Sequence, residues 1–261
     1  MLRRAVESGC VRLIIKYLAA LCVIASSAQA APGETAFALF IGGDYEDAAA
    51  QAAQLGGAEN FALAARSLNA LAYLQAKNKP ARKIAKRALN QGKAAIDADP
   101  ALVEAHLQTA IALAQRGARM APWRAFLKGL AGRAREELDI ALTLEPDNAW
   151  ALSSSAAWHL EVSRRGGEGR FGSDPALGHQ QFLRARANAP DNIVIAYECA
   201  LRLIAYEENE WREDGIEALQ FAVEGSAHDA FERAIQTRAR EFQRAIEEGH
   251  KAERAFIKAQ P

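Results

Sequence analysis

The sequence predicts an all-α chain made of repeated antiparallel helical hairpins. Strand signals are nearly absent: Val and Ile are sparse, and no long stretch alternates apolar with polar residues. The texture is rich in Ala and poor in Pro (8 in 261 residues), which favours helices. The turns Asp99-Pro100, Glu145-Pro146-Asp147-Asn148 and Ala189-Pro190-Asp191-Asn192 recur. Each closes one amphipathic segment and opens the next, with Pro after a helix end and Asp or Asn at an N-cap.

The first element reads as an address. Basic Arg3, Arg4, Arg12 and Lys16 precede the apolar run Tyr17–Ala25, and Ala28-x-Ala30 stands before Ala31-Pro32. That run is too short for a bilayer, which takes about twenty residues of helix. Residues 1–30 are therefore expected to be a cleaved signal peptide that exports the chain to the bacterial periplasm, the alternative being an uncleaved amphipathic anchor. Cleavage leaves 28 basic against 31 acidic residues and removes Cys10 and Cys22, so that Cys199 stands alone and no internal disulfide can form.

Helices follow near 35–41 and 44–55, an N-terminal hairpin within residues 31–59. The main array, 60–225, pairs segments 60–76 with 80–97, 101–117 with 122–145, 149–164 with 174–188, and 192–209 with 211–224. Residues 226–261 form a capping helix near 228–248, then a tail. Phe231, Ile235, Phe242 and Ile246 mark the apolar stripe of that helix, with charges elsewhere.

Aligning the chain on Pro100, Pro146 and Pro190 brings small residues into columns. Twelve residues earlier stand Ala88, Ala134 and Gly178; five earlier, Ala95, Ala141 and Ala185; ten later, Ala110, Ala156 and Ala200. Eight earlier the column is mixed: Gly92, Leu138 and Phe182. Helices approach closely only where side chains are small, so these columns mark the crossings of stacked hairpins. The register resembles the tetratricopeptide repeat over roughly residues 60–225. Departures are that the prolines recur after 46 and 44 residues instead of about 34, and that the family's Trp slot holds His106, Leu152 and Ala196 and its Leu slot Thr109, Ser155 and Cys199. The resemblance implies a right-handed α-solenoid with a concave groove lined by the first helix of each hairpin.

Catalytic and cofactor signals are weak. Gly167-Glu-Gly169-Arg-Phe-Gly172 fits G-x-G-x-x-G, but a helix precedes it where a nucleotide site needs a strand, so it reads as an interhelical loop. His106, His159, His179, His228 and His250 show no ligand spacing on one helix, and His106 and His159 read as packing residues. Cys199 reads as a small buried hydrophobe, Ser153–Ser155 has no nucleophile-elbow context, and Glu136-Glu137 and Glu207-Glu208 read as solvated faces. No catalytic residue, cofactor or metal is assigned, and zero net charge points away from nucleic acid.

What the resemblance implies for binding is a groove of Glu104, Leu107, Gln108 and Ile111, then Trp150, Ser153 and Ser154, then Tyr197, Glu198 and Leu201. The Lys, Arg and Asn of the family's carboxylate-clamp subset are missing from it. A second surface is expected along the turns, where Trp123, Arg124, Phe126, Arg164, Arg165, Arg170, Phe171 and Trp211 would form a basic-aromatic rim for a protein or an anionic lipid headgroup. The expected function is a non-enzymatic scaffold that holds a protein or peptide of the cell envelope. The alternative is a ligand-handling accessory subunit of a periplasmic solute transporter.

Overall fold

The computed structural model describes residues 32–75, 79–166, 169–206 and 209–260. The expected signal peptide, residues 1–30, lies outside the described residues. All regular structure among them is helical: α1 (Pro32–Gly42), α2 (Tyr45–Leu55), α3 (Ala58–Leu74), α4 (Lys79–Ala98), α5 (Val103–Ala118), α6 (Pro122–Leu127), α7 (Leu130–Leu144), α8 (Ala149–Gly166), a 3₁₀ turn (Arg170–Gly172), α9 (Pro175–Asn188), α10 (Ile193–Tyr206), α11 (Asn209–Glu224), α12 (Ala230–Glu247) and α13 (His250–Ala259).

Short connections make successive helices antiparallel neighbours. The pairs α1–α2, α3–α4, α5–α7, α8–α9 and α10–α11 pack as hairpins, and α2–α3, α4–α5, α7–α8 and α9–α10 join each hairpin to the next. First helices also meet in series, α3 with α5, α5 with α8, and α8 with α10.

The turn chemistry is realised in side-chain bonds. Asn148 Oδ1 accepts from the Ala151 N–H, and Asn192 Oδ1 accepts from the N–H groups of Val194 and Ile195. Asp174 and Asp229 likewise cap α9 and α12. Each satisfies backbone donors that the first helical turn leaves without an intrahelical acceptor.

The small-residue columns lie at helix crossings. Ala88, Ala95, Ala110, Ala134, Ala141, Ala156, Ala185 and Ala200 are all buried. A Cβ built on Gly92 would lie 2.4 Å from Thr109 Oγ1 and 3.2 Å from its backbone, so α4 and α5 touch there through glycine alone. Gly178 meets α8 in the same way, where a Cβ would come within 3.1 Å of the Ala156 carbonyl oxygen.

Two elements differ from expectation. The single helix expected over 122–145 is broken into α6 and α7 at Gly129, whose left-handed conformation (φ 57°, ψ 27°) stops one helix and starts another. The tail expected after residue 248 instead forms α13, which packs on α12 and α10. The chain also returns on itself. Helix α12 touches α1 as well as α10 and α11, and Gly43 (φ 97°) passes so close that a Cβ there would lie 2.9 Å from that of Ala230.

Candidate functional site

The inner face of the first helices is where the polar residues gather. On α8 the half-buried positions Trp150, Ser154, Ala157 and Glu161 fall at helical spacing on one stripe. Other polar residues on the first helices that are buried or half-buried are Arg66, Asn69 and Tyr73 on α3, Glu104, Gln108 and Gln115 on α5 with Arg119 at its C-cap, and Glu198 and Arg202 on α10.

Hydrogen bonds tie these helices together. Asn69 donates to the backbone carbonyl and to Oε1 of Gln108, at 2.9 and 2.8 Å, and Gln115 donates back to the Asn69 carbonyl at 3.0 Å. Gln108 in turn donates to Glu104 at 3.1 Å. Across the interior the Tyr73 hydroxyl donates to Glu198, 125 residues away. Glu198 pairs with Arg202 at 3.2 Å, and Arg202 reaches Glu161 of α8 at 3.7 Å.

Burial and pairing set the titration of this cluster. Burial, reinforced by the Glu198 carboxylate, pushes the Tyr73 hydroxyl well above its ordinary range. Burial opposes charge on Arg202, yet Glu198 and Glu161 overcome it and hold the guanidinium more firmly protonated than usual. Burial likewise disfavours the Glu161 carboxylate, but Arg202, Arg164 and Arg165 together hold its pKa below the ordinary value. Glu104 moves up because desolvation outweighs the pull of Arg66. Glu161 and Glu198 thus share Arg202, and Arg164 and Arg165 add to the positive charge around Glu161.

The expected groove residues divide into two sets. Glu104, Ile111, Trp150, Ser154 and Glu198 are half-buried. Leu107, Gln108, Ser153, Tyr197 and Leu201 are buried, with Leu107 and Leu201 in the two main apolar clusters. Trp150 bridges both clusters from their margins.

Along the expected rim, Arg164 and Arg165 both pair with Glu161, so their charge is partly neutralised by the interior cluster. Arg124 is exposed, and exposed Arg170 lies 5.7 Å over the Phe171 ring. Trp211 is half-buried, stacked on His179 at 5.2 Å and beside Tyr206 at 5.3 Å. The side chains of Trp123 and Phe126 lie outside the described residues, as do Gly167, Glu168, Glu207 and Glu208.

Two histidines, His106 and His179, find acidic partners across helices where no helix by itself offered them. His106 Nδ1 is 2.7 Å from Glu137 and its Nε2 is 2.9 Å from the Pro100 carbonyl. Glu137 is thus a partner of a buried ring, correcting its reading as part of a solvated face. His179 Nε2 stands 2.5 Å from Asp214. His159 is fully buried, accepts from the Asp174 N–H, and has its pKa lowered to about 4 by burial and by Arg135. Cys199 is buried, and burial pushes its thiol up to about 12, far from the thiolate a nucleophile needs.

Sequence reasoning missed Tyr73, Glu161, Arg119, Arg202 and Arg238 as interior residues. The spacing of Glu198 and Arg202 at i, i+4 signals one helical pair, but nothing local signals that Tyr73 and Glu161 join it. Among the described residues, no helix is long and apolar enough to cross a membrane. Searches against known protein families and against curated proteins return no match to this chain.

Proposed function

We propose that the chain is a non-enzymatic scaffold of the bacterial periplasm, a right-handed solenoid of tetratricopeptide-like hairpins that holds a protein or peptide segment against its first helices. The observation that carries this reading is the consecutive packing of α3, α5, α8 and α10. Half-buried Glu104, Trp150, Ser154 and Glu198 lie on three of these helices. An apolar body with a few fixed polar groups suits an extended or helical segment, whose backbone and side chains need both kinds of contact. The charges there are already paired internally, which disfavours an electrostatic clamp on a terminal carboxylate.

A photocrosslinking amino acid at position 154 tests the reading, with the same group at exposed position 136 as control, in the chain expressed in its own envelope. One protein joined through position 154 and not through 136, and lost when half-buried Ala157 on the same stripe is changed to Arg, is the expected outcome. No adduct, or the same adducts from both positions, overturns it.

A further inference from the structure

We infer that the exposed basic face of α4 is a docking surface for a second copy of this chain, whose acidic α11 lies parallel to it with Arg82 opposite Glu213, Lys86 opposite Glu217 and Lys93 opposite Glu224. This goes beyond the scaffold reading and does not rest on it.

The two helices carry opposite charge in a chain whose formal total is zero. Between Glu59 and Asp97 the sequence has eight Lys or Arg and no Asp or Glu. Helix α11 reverses this: Glu210, Glu213, Asp214, Glu217 and Glu224 stand against Arg212. Each is the second helix of its hairpin, and each turns its apolar side to the protein. Ile84, Ala88 and Leu89 of α4 are buried, as are Ala218, Leu219 and Ala222 of α11. What remains outside is charged. Arg82, Lys83, Lys86 and Lys93 are exposed, and so are Glu210, Glu213, Glu217 and Glu224. Most of this charge is uncompensated within the molecule. Arg87 pairs with Glu46 and Glu217 with Arg186, but Arg82, Lys83, Lys86, Lys93, Glu210 and Glu213 join no ion pair among the described residues.

The stripes match in spacing as well as in sign. Arg82, Lys86 and Lys93 are separated by four and then seven residues, and so are Glu213, Glu217 and Glu224. These steps keep each set on one helical face and space its charges by about 6 and then 10 Å along the axis. Two such helices laid parallel bring all three pairs into register. Laid antiparallel, they leave Lys86 facing Gln220, with Glu217 about 4.5 Å further along. Ile216, 39% exposed, adjoins Glu213 and Glu217 on α11 and offers an apolar contact to the methylene stems of the facing cations. The same charges repel two α4 faces or two α11 faces, so only unlike faces meet. Single ion pairs at a wet surface are weak, so three in register give an association steered by charge and sensitive to salt.

Sedimentation velocity of the full chain over a range of concentrations tests this, at low salt and at about 1 M salt, where the screening length is about 3 Å. Wild type should associate with rising concentration at low salt and come apart at high salt. Arg82→Glu with Lys93→Glu, or Glu213→Arg with Glu224→Lys, should each weaken that association roughly tenfold or more, since like charges then face each other. All four substitutions in one chain leave the net charge unchanged and reverse two of the three pairs, so association should return. That rescue depends on the proposed register, which a general charge effect would not require. A wild type that stays a single chain at low salt, association that strengthens with salt, double variants that associate like wild type, or a folded quadruple variant that stays apart each overturns the inference.

Discussion

The Arg238 guanidinium lies 5.1 Å over the ring of Tyr73 and donates to the carbonyls of Tyr73 and Leu74, at 3.2 and 3.0 Å. Those carbonyls belong to the last turn of α3, where helix geometry leaves acceptors without intrahelical donors. Arg119 reaches the neighbouring Ala72 carbonyl from α5. Two cations thus cap one helix C-terminus, the end where the macrodipole favours positive charge. The cost falls on Arg119, whose pKa is lowered by burial and by the nearby charge of Arg238.

Arg238→Ala should therefore lower unfolding stability by about 1–3 kcal/mol, through the unpaired carbonyls and the lost ring contact. Arg238→Lys should recover part of the loss, since an ammonium reaches one carbonyl but cannot span two. Urea denaturation of the three proteins checks this, and an Ala variant as stable as wild type would remove Arg238 from the account of how the chain closes.

Two helical glycines should respond in opposite directions. Gly92→Ala places a methyl group within 2.4 Å of Thr109 Oγ1 and 3.2 Å of backbone, which should cost about 1–3 kcal/mol of stability. Gly132→Ala has nothing within 4 Å of the new carbon and should gain about 0.5–1 kcal/mol from helix propensity. Thermal melts separate the pair, and a neutral Gly92→Ala would show that the hairpin crossing has slack.

His159 predicts a pH dependence. Its folded pKa of about 4 lies below the ordinary 6.5, so the unfolded chain takes up the proton first as the solution acidifies. The group contributes its full stabilisation above pH 6.5. That contribution falls as pH drops toward 4, by on the order of 3 kcal/mol, and levels off below. Denaturant midpoints measured across that range should slope downward with acid in wild type and less in His159→Gln. Parallel profiles would assign the slope to other groups.

Cys199 should be inert to iodoacetamide in the folded protein and alkylated on unfolding, because the thiol is buried and shifted up to about 12. Mass spectrometry after labelling with and without denaturant reads this directly, and rapid native labelling would mean that α10 opens.

The hairpins are legible in the sequence because their signals act over short distances. Asn148 and Asn192 cap helices that begin within a residue or two of them, and the alanine columns work between helices adjacent in the chain. The break at Gly129 is less legible, since a glycine inside an Ala-rich helix costs only about 1 kcal/mol and does not by itself announce a left-handed residue. Helix α13 is less legible still. Its ten residues carry an amphipathic stripe too short to be decisive, and docking on Phe242 and Arg212 makes it a helix.

The inner face is legible in part. The repeat register that the sequence resembles places Glu104, Trp150, Ser154 and Glu198 on first helices, and these are residues that stay half-buried. It does not separate them from Leu107, Ser153, Tyr197 and Leu201, a short helical step away, which packing covers.

From the sequence alone come the all-helical class, the order of the hairpins and the close crossings at small residues, since each rests on a residue and its near neighbours. Tertiary structure alone decides that Tyr73 meets Glu198, that Arg238 caps α3, and that α12 returns to α1. Those contacts join helices far apart in the chain, and where such helices meet is set by the packing of many side chains between them, so no single residue or spacing encodes it.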